Sequence, residues 1–344
     1  MYPIIMDDNF IKLAAVDDFN SFIWSSRYYT SGDFELCVDA TAEHLNLFMK
    51  DYYVLREDDD NIGIIENIKI QRNEDGREIM IVTGRFLQSI LGRRIIVPQT
   101  TVTGKVSACI ESLITSNIVN PSVVARKISN FIIDSADINI SMKAQFTGDN
   151  LLTAVSKLCE TYGIGFKVTM NSSNQFVFNL YQGIDRTYDQ NVNPWVIFSD
   201  KFDNLLSSEY EENYRDIATA AYVAGEGEGL DRKTLWVTDE NTGILRHEVY
   251  VDKRNLRSNN GEISQSEYEE LMQEAGKERL TKYTTAFSGT VYFDSVKYKE
   301  DVNLGDLCVI ENSRWGIYVN SRLVEVIESV SEAGEYSIVP TFGI

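Results

Sequence analysis

Between Gly32 and Val38 the chain alternates, with Phe34, Leu36 and Val38 on one side and Asp33 and Glu35 on the other. That is the period of a strand with one packed face and one wet face. Residues 62–71 and 77–83 alternate in the same way around Asn73, Glu74, Asp75 and Gly76. Asp and Gly tolerate the positive φ of a tight turn, so this stretch predicts a hairpin. Residues 1–100 read as β-structure.

The period changes after Pro98. Val106, Cys109, Ile110, Leu113 and Ile114 recur at helical spacing. A second helix carries Leu151, Leu152, Val155, Leu158, Cys159 and Tyr162, with Asp149 as its expected cap and Gly163 as its stop. Residues 164–169 and 175–181 predict a hairpin around 171–174, and 101–185 together read as a small inserted α/β unit. Strand patterning returns from Trp195. Ser266 followed by Glu269 fits a capping box and predicts a helix over about 266–283. Alternation then resumes through Val291, Phe293, Leu307, Val309, Ile317, Val319, Leu323, Val324 and Ile327, with turns at 303–306 and 332–334. The fold class expected is mainly β with α/β insertions.

Composition narrows the function. In 344 residues, 32 Lys and Arg face 52 Asp and Glu, a net charge of −20 that repels nucleic acid unless the cations share one face. Cys37, Cys109, Cys159 and Cys308 have no C-x-x-C spacing and read as small buried residues made in a reducing compartment. No run of about 18 apolar residues occurs, and MYPIIMDDNF lacks the basic start of a signal peptide, so neither a membrane span nor secretion is expected.

The candidate chemistry reduces to structure. Gly84 to Gly92 matches no phosphate-loop spacing; Phe86, Leu87, Ile90 and Leu91 instead predict a short helix with a buried face, ended by Gly92 in the left-handed region. Arg85, Arg93 and Arg94 in so acidic a chain predict at least one pairing with a carboxylate, within the subunit or across a subunit contact. Gly225, Gly227 and Gly229 alternate with glutamates that oppose an anion, so they read as a hairpin tip or loop. Asp58, Asp59 and Asp60, and Glu209, Glu211 and Glu212, read as solvated charge runs rather than an acid–base pair or cation site. His44 and His247 stand in no catalytic setting, and no cofactor, metal or catalytic residue is expected. Trp24, Trp195, Trp236 and Trp315 lie in apparent strands and are expected in cores.

The segment from Gly84 to Ile96, GRFLQSILGRRII, resembles the landmark segment of the Siphovirus Gp37-like family of phage and prophage tail proteins, relatives of contractile-tail baseplate hubs. Further landmarks follow in order: Trp24 with 32–36, 214–218 leading to 223–229 and Arg232, and 298–306, with Gly305 and Asp306, followed by Arg322 and 340–343. Asp216 stands where Asn is expected. The likeness covers nearly the whole chain and carries no catalytic residue.

The resemblance implies two tail-tube-like β-barrel domains plus smaller inserted domains. Residues 1–100 would form the first barrel's opening part, 101–185 the insertion, and 186–344 the remainder of that barrel and the second. It implies a homotrimer at the distal end of a tail, joining a hexameric tail tube or distal tail protein to a trimeric spike or tail-tip protein and meeting the tape-measure protein. Such a particle is made in the bacterial cytoplasm, and DNA passes its channel only transiently. Gly84, Arg85, Gly92, Arg93, Arg94, Gly225, Gly227, Gly229, Gly305 and Asp306 would be its structural and assembly positions. The acidity then either lines the channel to repel phosphates or keeps the free subunit soluble. The alternatives are a tail-associated cell-wall hydrolase, for which the end at Ile344 is expected to leave no room, and a carbohydrate- or receptor-binding module.

Overall fold

A computed structural model describes residues 1–72, 76–238, 240–258, 263–280, 284–291 and 296–343. The chain is mostly β with helices set among the strands, an α+β architecture. Its first part comprises β1 (Ile4–Met6), β2 (Lys12–Ala15), β3 (Phe19–Arg27), β4 (Asp33–Asp39), the short helix α1 (Ala42–Leu47), β5 (Tyr53–Arg56), β6 (Asp59–Arg72) and β7 (Glu78–Phe86). The expected alternation holds: Phe34, Leu36 and Val38 on β4 are buried and join Phe22, Trp24 and Phe86 in one core. β6 and β7 form the expected hairpin, pairing Arg72 with Glu78. Gly76 has a φ of 83°, while 73–75 lie outside the described residues.

Then come β8 (Thr100–Lys105), α2 (Val106–Ile114), β9 (Phe131–Ile133), β10 (Ser141–Phe146), α3 (Leu151–Tyr162), β11 (Gly165–Met170) and β12 (Phe176–Tyr181). The apolar stripes of α2 and α3 face each other in a core that also takes in Ile62, Leu87, Ile90 and Leu91. Gly163 ends α3 at a φ of 65°, as its sequence predicts. Asp149 does not cap it. Asn150 does, accepting from the Thr153 amide, while the Asp149 carboxylate accepts from the Thr147 amide. Both residue types suit the position, and the strand-to-helix turn places the second there.

The remainder is β13 (Ile197–Ser199), β14 (Leu205–Asn213), β15 (Ala220–Ala224), β16 (Thr234–Thr238), β17 (Glu248–Asp252), α4 (Gln265–Lys277), β18 (Thr284–Val291), β19 (Leu307–Asn312), β20 (Ile317–Ser331) and β21 (Tyr336–Gly343). α4 covers one face of the β16-β15-β17 sheet through Tyr268, Leu271, Met272 and Ala275. Its cap is Ser264 with Glu267 rather than Ser266 with Glu269. The S-x-x-E spacing occurs twice in overlap, and the earlier copy keeps Tyr268 and Met272 inward. α4 also ends at Lys277, short of the expected 283; Tyr283 and Phe293 lie outside the described residues.

One 13-stranded sheet runs in the order β14-β18-β21-β20-β3-β4-β7-β6-β5-β1-β2, with β19 pairing β20 and β13. Its central seam joins chain ends: β20 lies antiparallel to β3, from Glu325 opposite Arg27 to Ser331 opposite Ser21. The Arg27 Nε donates to the Glu325 carboxylate at 2.7 Å across that seam. A separate core of Phe198, Cys308, Ile310, Leu323 and Phe342 sits on the C-terminal side.

Candidate functional site

The segment that closes β7 turns a corner. Phe86, Leu87, Ile90 and Leu91 are buried as their spacing predicts, but Leu87–Arg93 is a 3-10 helix. Gly92 does not take the left-handed conformation expected of it. The helix ends instead at extended Arg94, whose amide donates to the Leu91 carbonyl. Asn150 holds the Gly92 carbonyl from the start of α3 at 2.8 Å, so a neighbouring element supplies the cap that a left-handed glycine would have given. Gly84 is sterically required: a Cβ there would run into the Ile64 carbonyl and Phe34.

The three arginines find partners within the chain. Arg85 grips Glu66 with two hydrogen bonds of 2.7 and 2.8 Å. Arg93 lies 3.3 Å from Asp51. Arg94 donates instead to the carbonyls of Arg126 and Arg93, both at 2.9 Å.

Gly225, Gly227 and Gly229 lie in the β15–β16 connection, as expected, though the loop is anchored. A Cβ on Gly225 would strike the Tyr268 hydroxyl, and Gly227 has a φ of 97°. Between them Glu226 accepts from Lys233 at 2.7 Å and from the Ser258 amide at 2.9 Å. Burial pushes the Glu226 carboxyl up, but these donors overcome it and bring it down to about 2. Arg232 locks the loop's other side, donating to the Gly225 and Ala224 carbonyls.

Gly305 and Asp306 belong to the junction of the three parts of the chain. Tyr28, at the end of β3, is fully buried among Gly165 on β11, Gly305 before β19, and Gly183. A Cβ on Gly165 or Gly305 would overlap the Tyr28 ring. The Tyr28 hydroxyl accepts from the Gly183 amide at 3.0 Å and faces the Gly163 and Tyr181 carbonyls. Asp306, 1% exposed, accepts from the Arg186 guanidinium at 2.7 Å, the Ile184 amide at 2.7 Å and the Asn303 amide at 3.0 Å. It is an anchor rather than a surface turn residue.

A second buried ion network lies beside it. Arg56, whose side chain is wholly buried, makes two 3.0 Å bonds to Glu328 and is also held by Asp58. Tyr336 donates to Glu328 at 2.8 Å, and Lys299 lies 2.7 Å from Asp59. The reading of 58–60 as a solvated run is therefore corrected for Asp59, which is nearly buried and meets Lys299 from 240 residues away. Asp58 is exposed, as expected, though it also meets Arg56 two residues before it. Asp60 remains exposed. Between network and junction opens a cavity of about 590 Å³ lined by carboxylates, Lys167, Lys299, Gln88 and the Tyr181 and Tyr298 rings.

This chemistry suits holding rather than turnover. Each buried carboxylate of the two networks is held by a cation, Glu328 by Arg56, Asp306 by Arg186 and Asp59 by Lys299. Burial pushes the Cys308 thiol up to about 12 and raises that of Cys159 further. Neither is poised as a thiolate nucleophile. Among the described residues no cluster of three or more His, Cys, Asp or Glu side chains could hold a metal ion.

The sequence reading missed Tyr28, Arg56, Arg186 and Glu328. Arg56 was detectable by parity, because it shares the β5 face of buried Val54. A charge on an apolar face announces a buried partner. The tryptophans also depart from expectation: Trp24 is fully buried, but Trp195, Trp236 and Trp315 are about half exposed. Trp195 and Trp315 lie outside strands, and Trp236 stands on the face of β16 away from α4, beside Tyr222.

The chain matches the family described as "Siphovirus ReqiPepy6 Gp37-like protein" over residues 3–344. No curated protein matches it in sequence. Its fold resembles that of a tail protein from Neisseria meningitidis MC58, with a TM-score of 0.59 and 13% identity over 100% of this chain and 96% of that one. It also resembles prophage tail protein gp18 from Listeria monocytogenes EGD-e, with a TM-score of 0.56 and 14% identity over 100% and 94%. A chain of a PdpA–VgrG complex matches at a TM-score of 0.50 and 10% identity, over 99% of this chain and 64% of that one.

Proposed function

The chain belongs to the Siphovirus ReqiPepy6 Gp37-like family of phage tail proteins, and from that premise we propose that it is the hub of the tail's distal end. Three copies form a ring, each contributing two tail-tube-like barrels, so that six barrels meet a hexameric tube on one side and a trimeric spike or tip on the other. The observation that carries this reading is the β3–β20 seam. It welds two β regions with separate cores into one subunit, as a sixfold-to-threefold adaptor needs. The likeness to a chain from a VgrG complex favours a spike-like partner. The tape-measure protein is the further partner of this reading. The barrels use 1–100 and 186–344, and 101–185 is the inserted domain.

Light scattering of the purified chain with tube and spike partners tests the proposal. A mass of three subunits and ring-shaped particles are expected; a strictly monomeric species overturns it. The channel wall of the assembled ring is expected to be acidic, letting DNA slide through. A neutral or basic wall leaves the net charge of −20 to solubility alone.

The exposure of Trp195, Trp236 and Trp315 favours a second reading, a carbohydrate- or receptor-binding surface. Binding of host wall polysaccharide that is lost on changing these residues to Ala would support it.

A further inference from the structure

We propose that the junction cavity is a receptor groove for a basic segment of a partner chain, an extended peptide that sets an arginine or lysine head between Glu57, Asp60 and Gln88. The proposal relies on the assembly reading only for the partner's being another tail protein. The groove's chemistry stands independently.

Size and shape point to a peptide. The 590 Å³ cavity meets a second of about 310 Å³ along Asp59, Asp60 and Lys167. The first lies within the roughly 300–1,000 Å³ range in which proteins seat ligands. The second adds Leu55, Ile62 and Met170, an apolar wall suited to the aliphatic stem of a long cationic side chain. A lone metal ion fits less well, because no group of three or more His, Cys, Asp or Glu side chains is placed to hold one among the described residues.

Charge selects the sign of the ligand. Of the groove's carboxylates, Asp58 is engaged by Arg56, Asp59 by Lys299, and Asp306 by Arg186. Glu57 accepts only from the neutral Tyr2 hydroxyl and Asp60 from no cation, among the described residues. The groove's own Arg27 is held by Asp33 and Glu325, and Lys167 stands over the Tyr181 ring at 5.9 Å. A separate sign of a missing donor is Gln88. It is 2% exposed on the cavity wall, and its Oε1 has no hydrogen-bond partner among the described residues. A guanidinium offers five N–H donors in a fork that can serve a carboxylate and an amide oxygen together.

The test titrates the full chain with a fluorescently labelled tetra-arginine peptide and follows anisotropy. Asp60→Asn and Gln88→Met are each expected to weaken binding about tenfold, the scale of one charge-assisted hydrogen bond. Paired Glu209→Gln and Glu211→Gln changes on β14 remove the same kind of charge elsewhere and are expected to leave binding unchanged. Equal losses from both sets mean unspecific attraction and overturn the proposal. So does calcium chloride that competes with the peptide and itself loses binding in Asp60→Asn. Should Gln88→Met fail to fold, Asp60→Asn on the exposed rim still decides. Light scattering of the same samples separates the two readings: a peptide-binding monomer keeps the groove and removes the hub, and a trimer that ignores the peptide does the reverse.

Discussion

Gly305 lies against the ring of Tyr28 so closely that a Cβ at 305 would overlap it, and its φ of 96° is one that side-chain-bearing residues rarely adopt. Two penalties therefore fall on one substitution, steric overlap and backbone strain. Gly305→Ala is expected to destabilise the chain by more than about 2 kcal/mol. Tyr28→Phe keeps the ring but strands the Gly183 amide, and is expected to cost about 1–3 kcal/mol. Urea unfolding of both variants checks this; a neutral Gly305→Ala would mean that the junction repacks freely.

The Arg56–Glu328 pair gives a prediction with a built-in control. Both side chains are buried; removing Arg56 leaves Glu328 without its closest cation, and removing Glu328 leaves the buried guanidinium only the exposed Asp58. Glu328→Leu or Arg56→Met alone is expected to cost about 3–5 kcal/mol. The double change Arg56→Met with Glu328→Leu is expected to recover much of that loss, since two apolar side chains need no partner. A double-mutant cycle by urea unfolding reads the coupling, and additive losses would show that the two charges act independently.

Why the sequence shows one and hides the other is a matter of range. The β4 alternation, the β6–β7 hairpin and the α3 stop at Gly163 are set by neighbours within a few residues, so periodicity reveals them. The Arg56–Glu328 pair spans 272 residues, and nothing local to Asp59 tells a solvated carboxylate from one that meets Lys299, 240 residues away. The same holds for Asp306, whose turn was legible but whose partner Arg186 was not. Ser264 and Ser266 mark the opposite limit: both have the local chemistry of a cap, and only the packing of α4 on β15 and β16 chooses between them.

Acid should weaken the β15–β16 loop through Glu226. Its carboxyl is lowered from the ordinary value near 4.3 to about 2 in the folded chain, because Lys233 and Ser258 hold the ionised form against the opposing effect of burial. A lowered folded-state pKa stabilises above the unfolded value and ceases to do so as pH falls through the folded value. Glu226→Gln is therefore expected to be less stable than the parent at pH 6, with the two stability curves converging as pH falls from about 4 to about 2. A gap that stays constant across that window would show that the charge on Glu226 does not contribute.

Thiol labelling tests the packing of the cores. Cys109, Cys159 and Cys308 are buried and their thiols raised by burial, whereas Cys37 on β4 is only partly covered. Iodoacetamide at pH 8 is expected to modify Cys37 first, and the other three only as the chain unfolds in denaturant. Mass spectrometry of the alkylated peptides gives the order, and early labelling of Cys159 would mean that α3 detaches from its core.

The arginines that follow β7 separate a local role from an assembly role. Arg85 and Glu66 are partly solvated, so Arg85→Ala is expected to cost less than about 1 kcal/mol despite its two short hydrogen bonds. Arg94 is more consequential for the fold, because it closes on the Arg126 and Arg93 carbonyls where Leu87–Arg93 gives way to the inserted unit. Arg93 and Arg94 both find their partners inside the subunit, so Arg93→Ala with Arg94→Ala is expected to lower the urea midpoint and leave the assembled mass unchanged. The opposite result, an unchanged midpoint with loss of the assembled species, would place the two arginines at a contact between subunits and make their internal partners incidental.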